Sequence, residues 1–207
     1  MSSPSAGASS PPGWPRQRLA GAELLERAVA YTRVSLQLVT PTDLDAPTPC
    51  TGWDLHALLR HMDDSLAALT EAAAVGYVDL VPVHGPETVG HPGLELVDRL
   101  RLRACALLEA WTHHPDPADV TMADRELRSD LLAAAGALEI TAHGWDVARA
   151  CGVDRPLPAA LTLELLEVAP LIVRDADRPQ RFADVVDVPL HARPSTRLLA
   201  LLGRDAR

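Results

Sequence analysis

Aromatic side chains make up only 3% of this 207-residue chain, and that scarcity limits what its core can be. β-Sandwiches draw on aromatic and β-branched residues for their packed faces. A core of Leu, Val and Ala instead suits helices that bury one apolar stripe each. Apolar residues are 47% of the chain, enough for a full core at this length. They recur at helical spacing, which predicts a first helix over 19–39 through Leu24, Leu25, Ala28, Val29, Val34, Leu36 and Leu38. Pro41 and the run Asp45-Ala46-Pro47-Thr48-Pro49 end it. A second helix is expected from Thr51, with Thr51 and Asp54 as a capping pair, through Leu55, Leu58, Leu59, Met62, Leu66 and Leu69 to about 74.

The same pattern predicts a third helix over 92–111 and a fourth over 124–150 that stops at Gly152. A fifth opens at Pro158 and runs to about 174. Residues 76–92 read as a long loop, 182–190 as one brief strand, and 198–202 as a last apolar turn. The expected fold is all-α. It is an antiparallel four-helix bundle with an additional C-terminal helix and a short tail, spanning 18–207. Residues 1–17, rich in Ser, Pro and Gly, read as a disordered tail before it.

The net charge of −9 argues against nucleic acid or an anionic membrane as partner. Every basic residue is Arg, so Schiff-base chemistry and a P-loop, which both need Lys, are excluded. Cys50, Cys105 and Cys151 are odd in number and widely spaced, which indicates no disulfide framework. The N-terminus has no apolar signal core, and no apolar run approaches the roughly 20 residues of a membrane span. A cytoplasmic, reduced location is expected.

Within the predicted fourth helix, Glu139 and His143 stand at i and i+4. Such residues share a helix face, roughly 6 Å apart along the axis. On a solvated face this pair would be only a weak local interaction. Here it lies among Ala133, Ala134, Ala135, Ala137, Leu138, Ile140 and Ala142, where an unpaired carboxylate is costly. His61, near the middle of the second helix, is a third donor, and bundle cores are where facing helices build metal sites. Two His and one carboxylate leave a metal an open position, the mark of a catalytic site. Asp146, three residues after His143, either orients that imidazole as an outer-shell partner, pairs with Arg149, or caps a loop. His56 is the rival on the second helix and reads as a cap or surface residue. His113 and His114 read as surface, His84 and His91 as loop residues within reach of substrate, and His191 as without signal.

Two stretches extend beyond these donors. Thr48-Pro49-Cys50-Thr51-Gly52-Trp53-Asp54-Leu55, running on to His61, resembles the opening motif of the mycothiol-dependent maleylpyruvate isomerase-like proteins of the DinB-like superfamily. Glu139 to Gly152 is similar to that family's second signature, and Arg193 to Asp205 resembles the ending of a short subgroup. The resemblance implies a bundle whose ion, usually zinc, is held by His61, Glu139 and His143. It implies Cys50 as a packing residue, and homodimers are common among such bundles. It also implies a low-molecular-weight thiol cosubstrate that is added to a small molecule, or that assists its isomerisation. A second, C-terminal domain such as the isomerase has is not expected here. Two other functions stay open: a thiol-independent metal hydrolase or lyase, and a small-ligand-binding module without turnover.

Overall fold

Small side chains make one helix the spine of this molecule. In α4 (Ser129–Ala150) every residue from 132 to 148 is buried except Ala135 and Glu139. A computed structural model describes residues 14–75, 77–78, 92–113, 119–122, 125–179 and 181–206. α1 (Trp14–Leu36) and α2 (Leu55–Val75) pack on α4, and α3 (Pro92–His113) packs on α2 and α1. Beyond α4 come α5 (Ala159–Ile172) and α6 (Pro194–Leu201). The principal pairs are α1 with α4 and α2 with α3, and α2 also packs on α4. One shared core results, filled by fully buried leucines such as Leu25, Leu58, Leu100, Leu165 and Leu198. It is the helical bundle that the Leu/Ala patterning predicts.

Glycines and alanines let α1 and α4 touch. Gly21 faces Ala133, Gly136 faces Leu25 and Leu69, and Gly144 faces Thr32. These pairs rise together in number, so α1 and α4 run parallel, whereas α2 runs opposite to α4 with Leu69 at Gly136 and His61 at Glu139. The expected antiparallel packing thus holds for α2 on α4 but not for α1 on α4. At the closest approach Thr32 Oγ1 donates to the Ile140 carbonyl at 2.7 Å. A Cβ on residue 144 would fall on that hydroxyl oxygen. Gly144→Ala should therefore cost about 1–3 kcal/mol, the usual penalty for overpacking. Urea denaturation measures it, and a loss below about 0.5 kcal/mol would mean the helices are not this close.

The element boundaries differ from expectation in several places. α2 begins at Leu55, and its cap is Asp54, whose Oδ1 accepts the Ala57 N–H at 2.7 Å. Thr51 cannot start the helix because Gly52 follows it at φ 81°, in the left-handed region. α4 starts at Ser129 rather than 124, because residues 125–128 pair as a strand. Three short strands form a sheet in the order β1-β2-β3: β1 (Tyr77–Val78), β2 (Asp119–Met122) and β3 (Arg125–Arg128). β1 is parallel to β2, and β2–β3 is an antiparallel hairpin that reverses the chain just before α4.

Within the expected loop over 76–92, Tyr77–Val78 is thus a strand and α3 begins at Pro92, while 76 and 79–91 lie outside the described residues. The brief strand expected over 182–190 does not form. The Val186 N–H bonds instead to the Ala200 carbonyl, which ties that segment to α6. α1 begins at Trp14, inside the stretch read as a tail, and residues 1–13 of that tail lie outside the described residues.

Candidate metal centre

The centre is built where α2 crosses α4. His61 Nε2 lies 2.6 Å from Glu139 Oε1, and His143 Nε2 lies 3.2 Å from the same oxygen. Ser65, one turn beyond His61 on α2, donates its hydroxyl to Glu139 Oε1 at 3.1 Å. The two imidazole rings meet edge to face with centroids 5.0 Å apart. Trp53, held just after the Gly52 turn, packs its ring 4.9 Å from that of His61. One ligand atom from each of His61, Glu139 and His143 lies within 4.8 Å of the other two. The structure therefore brings together the three residues that the sequence singles out.

Behind His143 lies a second layer. Its Nδ1 is 2.9 Å from Asp146 Oδ2, so the imidazole is anchored on that side and its Nε2 faces Glu139. A carboxylate that holds the far nitrogen of a ligating imidazole is the usual outer-shell arrangement of metal sites. Asp146 is fully buried and receives Arg204 on both oxygens, at 2.8 Å from Nε to Oδ1 and 2.6 Å from Nη2 to Oδ2. The thiol of Cys50 also donates to Asp146 Oδ2, at 3.3 Å. Arg149, the alternative partner for Asp146, stacks instead over the Trp145 ring at 5.6 Å.

Arg204 reaches the site through a helix ending. Gly203 at φ 77° closes α6, and the Arg204 N–H returns to the Leu199 carbonyl at 2.8 Å. The chain thereby turns back toward α4. Nothing in the spacing of the sequence links Arg204 to Asp146. Ser65 did leave a trace, since i and i+4 residues share a face and Ser65 follows His61 by four.

The electrostatics are strongly polarised. Desolvation pushes the Glu139 carboxyl up, but the charge and hydrogen bonds of His143, with His61, outweigh it and hold the group well below the usual carboxylate range. Desolvation lowers His143, yet the Glu139 charge and the bonds to Asp146 and Cys50 carry it well above the ordinary histidine value. For Asp146, burial is again the raising influence, and the Arg204 charge prevails over it.

Two groups of side chains are placed to hold a metal ion: His61, Glu139 and His143, and Cys50, His143 and Asp146. The second shares Asp146 with the Arg204 guanidinium, which also lies 3.6 Å from Cys50 Sγ. A fixed positive charge at that distance opposes a cation. Among the described residues no guanidinium is hydrogen-bonded to the first group, which offers two imidazoles and a carboxylate, a donor set that fits zinc. Glu139 and His143 also line an open cleft between α1, α2, α3 and α4, which provides access.

Of the remaining histidines, His56 is partly buried at the start of α2 and His191 is exposed. His84, His91 and His114, and the side chain of His113, lie outside the described residues.

Fold and donor arrangement together define a helical-bundle protein with an imidazole–carboxylate centre built across two facing helices. Residues 25–148 match the profile of the mycothiol maleylpyruvate isomerase N-terminal domain, and the chain belongs to that family. The matched segment includes His61, Glu139, His143 and Asp146 and ends before Arg204. No curated protein and no solved structure matches the chain. Among the described residues no helix is long and apolar enough to cross a membrane.

Proposed function

We propose that this protein is a zinc enzyme that transfers a low-molecular-weight thiol to a small electrophile, or uses the thiol to isomerise it. The observation that carries this reading is the convergence of His61 Nε2, Glu139 Oε1 and His143 Nε2 beside an open cleft. A divalent ion held by such a set supplies a Lewis-acid position at which a thiol is kept as its thiolate near neutral pH. The chain's own residues do the positioning. Asp146 fixes the His143 ring, and Ser65 steadies the Glu139 carboxylate. Mycothiol is the thiol that the family's name points to. A reducing cytoplasm completes the reading, since Cys50, Cys105 and Cys151 are all free.

Elemental analysis of protein purified without a metal-affinity tag tests the first half. About one zinc per chain is expected, lost in His61→Ala. Assays of the zinc form with candidate electrophiles, with and without thiol, test the second. Product formed without thiol would mean a metal hydrolase or lyase. Ligand-dependent stabilisation without any product would mean a binding module.

A further inference from the structure

The cleft beside the candidate metal centre opens to solvent, and about 400 Å³ of atom-free space, open solvent included, lies along its walls. Its walls are aliphatic, lined by Val29, Leu36, Met62, Leu66, Leu100 and Ile140, and no aromatic ring other than the His143 imidazole is among the lining residues. The lining side chains with hydrogen-bonding groups are Thr32, Arg33, Ser65, Glu139 and His143. Most of these are already engaged. Thr32 donates to the Ile140 carbonyl, Ser65 donates to Glu139, and Glu139 and His143 belong to the donor set. Arg33 is the exception: among the described residues it has no hydrogen-bond or ion-pair partner, and it is exposed. It stands in the last turn of α1, where its charge suits the negative helix end without needing any directed donor. Its five N–H groups are therefore available to a ligand.

We propose that the electrophile is a compact aliphatic molecule with a single carboxylate, gripped and oriented by Arg33. This inference deepens the functional reading above and rests on it for the word electrophile. Apolar pockets orient their ligands through a small number of placed polar groups. A guanidinium offers two parallel N–H donors that match the two oxygens of one carboxylate, and one positive charge cancels one negative charge. A phosphate monoester, near −2 at neutral pH, would leave charge unmatched. A second anionic group along the body would meet hydrocarbon walls, where burial without a partner is costly. With its carboxylate on Arg33, the hydrocarbon body lies against the aliphatic walls that lead to Glu139 and His143.

Calorimetric titration of hexanoate and hexanamide into the full-length protein as purified, and into Arg33→Gln, tests this. Hexanoate is expected to bind the parent protein at least about tenfold more tightly than hexanamide, the scale of a charge-assisted hydrogen bond. Arg33→Gln is expected to remove that difference. Equal affinities for the two ligands, undetectable hexanoate binding, or hexanoate binding that survives Arg33→Gln would each overturn the proposal. The last outcome is what a carboxylate seated on the metal rather than on Arg33 would give. Arg33 is exposed, so the variant is expected to fold. Metal content is measured on the same samples. Metal present with no Arg33 effect defeats this inference alone, whereas an Arg33 effect in protein without metal defeats the zinc reading alone.

Discussion

Arg204→Met is expected to lower folding stability by about 3–5 kcal/mol, the cost of stranding one partner of a buried ion pair. Asp146 is fully buried and Arg204 is only 10% exposed, so water cannot take over from the lost guanidinium. The hydrogen bonds that remain to Asp146 come from the neutral Cys50 thiol and from His143, whose other nitrogen already faces Glu139. Replacing both members should be far milder, because a buried pair exchanged for neutral groups of similar volume is often near neutral. The double variant Asp146→Asn/Arg204→Met should therefore recover much of what Arg204→Met loses.

Acid sensitivity supplies a second readout. The folded-state pKa of Asp146 lies below its ordinary value of 3.8, so its contribution is present above that value and fades as pH falls through the folded pKa. Arg204→Met should shrink that acid-dependent component. Urea melts at neutral pH and below pH 4 measure both effects. A loss under about 1 kcal/mol at neutral pH would mean the pair is solvated, as surface pairs are. Because Asp146 holds His143, Asp146→Asn should also weaken metal binding by about 10–100-fold, the range for outer-shell partners.

Glu139→Gln should reduce metal affinity by more than that outer-shell range, that is by over about 100-fold. The substitution keeps the side chain's shape and removes the only anionic donor of the set. Cys50→Ser is the matching control, since Cys50 belongs to the other group of potential ligands and shares only His143 with the first. It should leave metal content unchanged. Competition with a chromophoric chelator ranks the three proteins. Loss of metal in Cys50→Ser with retention in Glu139→Gln would move the ion to the Cys50 side and sink the assignment. Thermal melts of metal-free samples confirm that each variant is folded before affinities are compared.

Local signals account for what was legible beforehand. The helical periodicity of Leu and Ala exposes the bundle because each helix must hide one face, and the period is written directly in the chain. The Glu139/His143 pair was visible because i and i+4 share a face wherever the helix is packed, and the Ala-rich setting made an isolated carboxylate implausible. Boundaries were less legible. Asp54 and Thr51 are both capping residues, and only the left-handed Gly52 between them decides which one caps α2. Residues 125–128 carry no alternation strong enough to announce a strand, and it is pairing with Asp119–Met122 that makes them one.

By itself, then, the sequence determined the helices and placed the candidate donors His61, Glu139 and His143 on two of them. Tertiary structure alone decided that α1 lies parallel to α4, since this depends on which small residues meet across the contact, Gly144 on Thr32 above all. It also decided that Asp146 serves His143 and Arg204 rather than Arg149. Arg33 was left as the unengaged cation of the cleft in the same way. These outcomes rest on contacts between residues far apart in sequence. Local chemistry sets what each side chain can do, but only the packed chain sets which partner it meets.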